Sequence, residues 1–135
     1  MKIKLDEGAK VSRAHDADAG LDLHARETKV IPAKGSAIFD TGVHVEIPRG
    51  ATGLVLSKSG LNVKNGLTSE GVIDAGYTGS IVVKLYNNSK VDYTVNKGDK
   101  ISQLVIVPIF TPVLELVDEL EDTERGNCGF GSSGR

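Results

Sequence analysis

Glycine is the sequence feature that most limits the folds open to this chain. Sixteen glycines are spread over 135 residues and divide the chain into short segments. Glycine inside a helix costs about 1 kcal/mol relative to alanine, and few windows hold helical spacing. The remaining windows alternate apolar and polar residues or form β-branched runs, as in residues 36–47, 81–86 and 101–110. This pattern predicts an all-β fold of mostly antiparallel strands, such as a sandwich, jelly roll or barrel.

Two segments leave room for other structure. Residues 59–64 follow a candidate capping residue, and they are the one short helical segment that we expect. Residues 112–120 fit two patterns equally well. Their apolar positions have the i, i+3, i+4, i+7 spacing of an amphipathic helix, but the same stretch also alternates as an edge strand does.

Composition and charge narrow the class of protein. The length fits one domain, and a net charge of −2 argues against a strongly basic nucleic-acid binder. The single cysteine, Cys128, excludes an internal disulfide framework. No apolar run approaches the roughly 20 residues that span a bilayer, and the first residues lack the apolar core of a signal peptide. We therefore expect a soluble cytoplasmic protein that binds neither nucleic acid nor membrane.

The last residues form a segment of different character. Four of the ten residues from Arg125 to Gly134 are glycine, and Phe130 stands among them. Glycine backbone N–H groups, the hydroxyls of Ser132 and Ser133 and the guanidinium of Arg125 together suit a phosphate, while an aromatic ring suits a nucleobase. A disordered tail is the commoner use of such a sequence. We predict a β domain over residues 1–124 and a mobile arm over 125–135 that becomes ordered when a ligand binds.

A second candidate site lies in residues 71–79. Asp74 follows an apolar pair and precedes a glycine turn and Tyr77. A carboxylate at a strand end beside a ring can act as a general base. The competing interpretations are a turn-forming aspartate, which is more common, and a tyrosine that belongs to the core.

Three further motifs carry polar groups. In residues 18–23 two aspartates flank a glycine and could organise a hydrated Mg²⁺, although two loop aspartates would look the same. Residues 57–61 form a cationic turn with two hydroxyls, which suits either a phosphate or plain solvent. Residues 98–104 place Gln103 in an apolar strand, where its amide needs partners. The three histidines lack zinc-ligand spacing with each other or with Cys128.

Each motif is weak alone, but the five in this order resemble the trimeric dUTPase family over nearly the whole chain. The resemblance implies a jelly-roll subunit and a homotrimer with three active sites that are shared between chains. It implies a mobile arm that closes over a neighbour's site, and it favours a strand for residues 112–120. The implied reaction is the hydrolysis of dUTP to dUMP and pyrophosphate, which lowers dUTP and supplies dUMP for dTMP synthesis.

The resemblance also implies a role for individual residues. Asp74 would be the general base, Tyr77 would lie against the deoxyribose, and Asp22 would hold a water on a Mg²⁺ bound mainly by the substrate phosphates. Backbone near residues 73–85 would read the uracil edge, and Phe130 would cover the base. The substrate-binding set implied in full is Lys58, Ser59, Gly60, Thr68, Val72, Tyr77, Lys84, Gln103, Arg125, Phe130, Gly131, Ser132 and Ser133.

The sequence departs from the family pattern in four places, one of which, Ser80 where an acidic residue is common, carries no catalytic role. Lys58 stands where arginine is usual, Thr68 where asparagine is frequent, and Cys128 where glycine is usual. Two rival functions remain open at this point. One is the related dCTP deaminase reaction, for which Glu70 would be the base, and the other is a non-enzymatic interaction module. A regulatory protein partner in addition to the enzyme activity is also compatible with the sequence.

Overall fold

The computed structural model describes residues 1–134, which form twelve β-strands and one short helix. Within that range, no helix has the length and apolar content that a membrane crossing requires. The strands are β1 Lys2–Leu5, β2 Val11–Ser12, β3 Gly20–His24, β4 Lys29–Ile31, β5 Ser36–Asp40, β6 Val43–Glu46, β7 Ala51–Leu56, β8 Leu67–Thr68, β9 Glu70–Ile73, β10 Val82–Asn87, β11 Tyr93–Val95 and β12 Lys100–Pro108.

All strand pairs in the described chain are antiparallel. The largest sheet has five strands in the order β2-β3-β12-β7-β9, and a three-stranded sheet has the order β5-β10-β8. The pairs β1-β6 and β4-β11 complete the fold. The prediction of an all-β, mostly antiparallel chain with little helix is therefore confirmed.

The core lies where the alternating strands turn their apolar faces inward. In β10, for example, Val83 and Leu85 are buried, while Val82 and Lys84 face outward. Fully burying a side chain of this size contributes about 1.5–3 kcal/mol. The largest side chains that are fully buried include Leu23, Ile31, Phe39, Leu67, Ile81, Ile101 and Leu104. This core fixes the positions of β3, β7 and β12, which carry part of the candidate site.

The helix, α1 (Ser59–Asn65), turns the chain from β7 towards β8. None of its residues is fully buried, and its half-buried Leu61 packs against the core. It ends at Gly66, whose φ of 67° is left-handed and suits glycine, and the Gly66 N–H bonds back to the carbonyl of Asn62 at 2.9 Å. The helix thus matches the short helical segment that the sequence predicts, with Lys58 and Ser59 at its start.

Residues 112–120 form neither the helix nor the edge strand considered from the sequence. The chain is irregular and exposed from Ile109 to Gly134, and Phe110 and Leu116 are 98% and 97% exposed. An edge strand needs a neighbouring strand for its hydrogen bonds, and a helix of this length needs a surface for its apolar stripe. The described part of the single chain offers this segment neither.

Candidate active site

Sheet register brings three of the predicted site residues together. Asp22 on β3 lies directly opposite Gln103 on β12, and Gln103 in turn lies opposite Leu56 at the end of β7. Lys58 follows two residues later, in the turn before α1. These residues line one cleft of ≈ 320 Å³, called the Asp22 cleft below. The motifs of residues 18–23, 57–61 and 98–104 therefore meet through the pairing of β3, β12 and β7.

The carboxylate of Asp22 is the electrostatic centre of this cleft. Its side chain is only 8% exposed, and it forms ion pairs with Lys58 through Oδ1 and with Lys100 through Oδ2, the latter at 2.7 Å. Burial alone would raise the pKa of Asp22, but the hydrogen bonds and charges of the two lysines outweigh it and leave the pKa below its usual value. The cleft therefore holds an ionised Asp22 between two cations, and the exposed Asp18 also lies on its lining.

Lys100 is a site residue that the sequence reasoning missed. It lies three positions before Gln103, a separation that places side chains on opposite faces of a regular strand. The register of β12 shifts between Lys100 and Ser102, and such a bulge absorbs one residue. Both side chains consequently reach the same cleft. The only signal in the sequence was the presence of Lys100 within residues 98–104.

The absence of a side chain at Gly20 leaves space for the side chain of Gln103. A Cβ added at Gly20 would lie 2.2 Å from Oε1 and 3.0 Å from Cβ of Gln103. Gln103 is half-buried, and its Nε2 donates to the carbonyl of Ser57 at 3.0 Å. Gly20 therefore shapes the cleft without contributing a side chain.

The cleft fits a Mg²⁺ ion only in a limited way. No cluster of three or more His, Cys, Asp or Glu side chains suited to a metal occurs within residues 1–134. Mg²⁺ commonly uses one or two carboxylates together with water and substrate phosphates. The buried carboxylate of Asp22 and the exposed one of Asp18, which both line the cleft, suit that arrangement. Each oxygen of Asp22 already accepts from a lysine, so a hydrated ion would share that carboxylate with Lys58 and Lys100.

The turn formed by residues 74–80 carries the predicted general base. Asp74 follows β9 and is exposed, and its carbonyl accepts the Tyr77 N–H at 3.1 Å. The Tyr77 hydroxyl donates to the Ser80 carbonyl at 3.0 Å, so the ring folds back over its own turn. A Cβ at Gly79 would lie 2.5 Å from the hydroxyl oxygen and 2.6 Å from Cζ of that ring. The position of Tyr77 therefore depends on the absence of a side chain at residue 79.

Other predicted binding residues lie on neighbouring strands. Thr68 on β8 pairs with Tyr86 on β10, and both line a second cleft of ≈ 360 Å³. The Thr68 hydroxyl accepts a hydrogen bond from Asn88 Nδ2 at 3.1 Å, so it is already partnered. Val72 is 65% exposed, and the ammonium of Lys84 lies 5.0 Å from the centre of the Tyr86 ring. Ser59 and Gly60 are exposed at the start of α1.

The arm residues lie apart from both clefts. Phe130 is fully exposed, and Arg125, Gly131, Ser132 and Ser133 are also exposed. Arg125 Nε donates to the Cys128 carbonyl at 2.7 Å, and the other hydrogen bonds observed in residues 123–134 also stay within that segment. The single chain thus leaves three groups of predicted site residues separate, namely those of the Asp22 cleft, the 74–80 turn and the arm.

Comparison with known proteins adds independent information. A family model described as dUTPase matches residues 6–134. A deoxyuridine 5'-triphosphate nucleotidohydrolase from Yarrowia lipolytica is 44% identical over 134 residues, which cover 96% of this chain and 85% of that protein. The protein of that name from Clostridium tetani is 43% identical, with 100% and 97% of the two chains covered.

Solved structures agree with this relationship. A dUTPase of Staphylococcus bacteriophage 80alpha, solved with dUpNHpp and described as controlling the transfer of virulence genes, has a TM-score of 0.93 at 36% identity. The alignment covers 99% of this chain and 98% of that one. A mutant dUTPase of phage phi11, described with a structural Mg(II) ion, has a TM-score of 0.82 at 35% identity, with 90% and 98% covered. With its five motifs in order and its antiparallel fold, the chain belongs to the dUTPase family.

Proposed function

We propose that this protein hydrolyses dUTP to dUMP and pyrophosphate. The observation that carries the proposal is the strand register that joins three family motifs into one cleft, where two lysines surround the buried carboxylate of Asp22. Cleavage of a triphosphate depends on positioning and charge neutralisation more than on covalent chemistry. A cleft with two lysines around one carboxylate suits such a substrate.

Lys58 and Lys100 are proposed to have different roles. Lys58 leaves Asp22 for a phosphate oxygen, while Lys100 stays on the other carboxylate oxygen and keeps Asp22 ionised and oriented. Ser59, Gly60 and Gln103 add hydrogen-bond donors to the phosphates. A Mg²⁺ ion carried by the triphosphate would supply further neutralisation of the developing charge. Lysine in place of the usual arginine keeps the charge but loses the two-pronged contact.

The 74–80 turn is proposed to carry the chemistry of the water. Asp74 orients a water molecule and accepts its proton as the oxygen attacks the α-phosphorus. The Tyr77 ring lies against the deoxyribose and leaves no room for a 2′-hydroxyl. Backbone groups of β9 and β10, near Val72 and Lys84, read the edge of the uracil, with Thr68 close by on β8.

A complete site is proposed to require three copies of the chain. In one copy the Asp22 cleft, the 74–80 turn and the arm share no lining residue, and residues 109–134 are exposed. A homotrimer places these groups together when the arm of one copy, residues 125–135, closes over the site of another. The body, residues 1–124, then acts as the domain that carries the clefts. The reaction lowers dUTP and supplies dUMP for dTMP synthesis.

The function is tested by product analysis with dUTP, dCTP, dTTP and UTP, each with and without Mg²⁺. We expect dUMP and pyrophosphate from dUTP alone, with faster turnover when Mg²⁺ is present. Release of ammonia from dCTP would contradict the proposal and direct attention to Glu70. A folded protein that turns over none of the four nucleotides would also contradict it.

Replacement of Gly79 by alanine should weaken discrimination against ribonucleotides. The added methyl group cannot coexist with the Tyr77 ring in its present position, so the ring must move. Loss of packing at a sugar is worth roughly 10- to 200-fold in selectivity. We expect the ratio of kcat/KM for dUTP to that for UTP to fall by about tenfold or more.

Tyr77→Phe provides the matched comparison, because it removes the hydrogen bond to the Ser80 carbonyl and keeps the ring. The thermal midpoint of both variants is measured to exclude unfolding. Unchanged selectivity in a folded Gly79→Ala protein would show that the ring does not determine the choice of sugar.

A further inference from the structure

His44 on β6 connects the 74–80 turn to the N-terminal part of the chain. Its Nδ1 lies 2.8 Å from the backbone carbonyl oxygen of Thr78, and its Nε2 lies 3.1 Å from Oδ2 of Asp6. The ring also borders a cavity of ≈ 510 Å³ along β1 and β6, which shares no lining residue with the Asp22 cleft. His44 therefore lies outside the residues that the proposed function uses.

Both neighbours of the ring can only accept hydrogen bonds. A backbone carbonyl and an ionised carboxylate carry no proton to donate, and a neutral imidazole has a single N–H. Only the imidazolium form satisfies both contacts at once. The direction of titration agrees, since the Thr78 carbonyl first and then Asp6 raise the pKa of His44, and the hydrogen bond from His44 is the main cause that lowers the pKa of Asp6.

Other charged groups lie near His44 and Asp6, but none of them hydrogen-bonds to the His44 ring in place of Asp6. Lys4 lies opposite His44 in the β1–β6 register and 3.8 Å from Oδ1 of Asp6, and it disfavours a second positive charge, while Asp40 on β5 favours one. Arg26 acts on Asp6 and Asp40, and Lys2 and Glu46 pair with each other at 3.2 Å farther along the strands. The described turn presents only its neutral Thr78 carbonyl to the ring.

The bond to Thr78 holds the middle of the turn. The Ser80 end is already fixed, because its hydroxyl bonds to Asp40 and accepts the Gly42 N–H at 2.9 Å. Thr78 directly follows Tyr77, whose N–H and hydroxyl bond to carbonyls within the same turn. A displacement of the Thr78 carbonyl is therefore passed to the Tyr77 ring and to the backbone that presents Asp74.

We propose that His44, held as an imidazolium by Asp6, is a positioning residue that fixes the 74–80 turn for the reaction. The inference rests on the function proposed above. Because the bridge raises the pKa of His44, it is complete below the ordinary histidine pKa and is lost as the pH rises through the folded-state value. The kcat/KM for dUTP should therefore fall on the alkaline side through an ionisation that belongs to His44.

The test compares pH profiles of kcat/KM with NMR titration of the His44 ring, using the full chain. In the wild type we expect the alkaline fall to coincide with the pKa measured for His44. His44→Leu should lower kcat/KM about tenfold at neutral pH and abolish that ionisation. Asp6→Asn should keep the activity at high pH, because an amide can donate to Nε2 of a neutral ring whose Nδ1–H stays on Thr78. Glu46→Gln, on the same strand but paired with Lys2, should match the wild type.

Two results would overturn the inference while the proposed function stands. One is a His44 ring that is neutral at neutral pH, and the other is an alkaline fall that persists unchanged in Asp6→Asn. If the wild type does not hydrolyse dUTP, the proposed function fails instead. Amide exchange of residues 77–80 then decides the bridge alone, because His44→Leu must accelerate it if the turn depends on His44.

Discussion

Asp74→Asn is expected to lower kcat for dUTP by about 10²–10⁴-fold, the usual contribution of a general base. Asparagine keeps the shape of the side chain but cannot accept the proton of the attacking water. Nucleotide binding should change little, because the proposed mechanism places the phosphates in the Asp22 cleft and the sugar against Tyr77. Assembly should also be unchanged, since the exposed Asp74 side chain buries nothing in the described chain. Steady-state kinetics, dUMP binding by calorimetry and size-exclusion chromatography measure the three quantities.

Glu70→Gln is the matched control for this change. Glu70 is an exposed carboxylate on β9, the strand that leads into Asp74, and the proposed mechanism gives it no role. We expect its kcat to stay within about twofold of the wild type, as for a surface substitution. Loss of oligomerisation in Asp74→Asn would show that Asp74 is structural. A large loss in Glu70→Gln would place the base elsewhere.

The sequence reveals the fold class because its signals are local. Glycine spacing and alternation in segments such as β10 follow directly from the two-residue period of a strand. The short helix was accessible for the same reason, since its left-handed end at Gly66 is a local preference of glycine. The register that unites Asp22 with Gln103 is not local, and the motif order supplied it only through the resemblance to a family.

The features that the sequence did not reveal depend on contacts between distant segments. Lys100 reaches the Asp22 cleft because of a bulge, and no residue pattern in β12 indicates that bulge. His44 bridges Asp6 and Thr78, and these three residues come from separate parts of the chain. The prediction for residues 112–120 failed for another reason, because both the helix and the strand need a partner surface that residues 1–134 of a single chain do not provide. Propensity alone cannot choose between structures that packing must decide.

Loss of the arm, residues 125–135, is expected to have the second large effect on activity. Deleting residues 125–135 is expected to lower kcat/KM for dUTP by about 100-fold or more, because charge-assisted phosphate contacts and exclusion of water are lost together. The thermal midpoint should hardly change, since the described residues 125–134 are all exposed and their observed hydrogen bonds stay within residues 123–134. Kinetics and differential scanning calorimetry on the same preparations separate the two effects.

Point variants decide which part of the arm matters. Phe130→Ala removes the exposed ring while it leaves the charge, and Arg125→Gln removes the charge while it leaves the ring. If the arm closes over the site of another copy, mixing an Asp74→Asn chain with an arm-deleted chain should restore some activity, because a mixed trimer then contains sites with both an intact arm and an intact Asp74. Such rescue requires that the arm and Asp74 of one site come from different chains. Mixtures without any rescue would argue that each chain closes its own site, and unchanged turnover in the deletion itself would remove the arm from the mechanism.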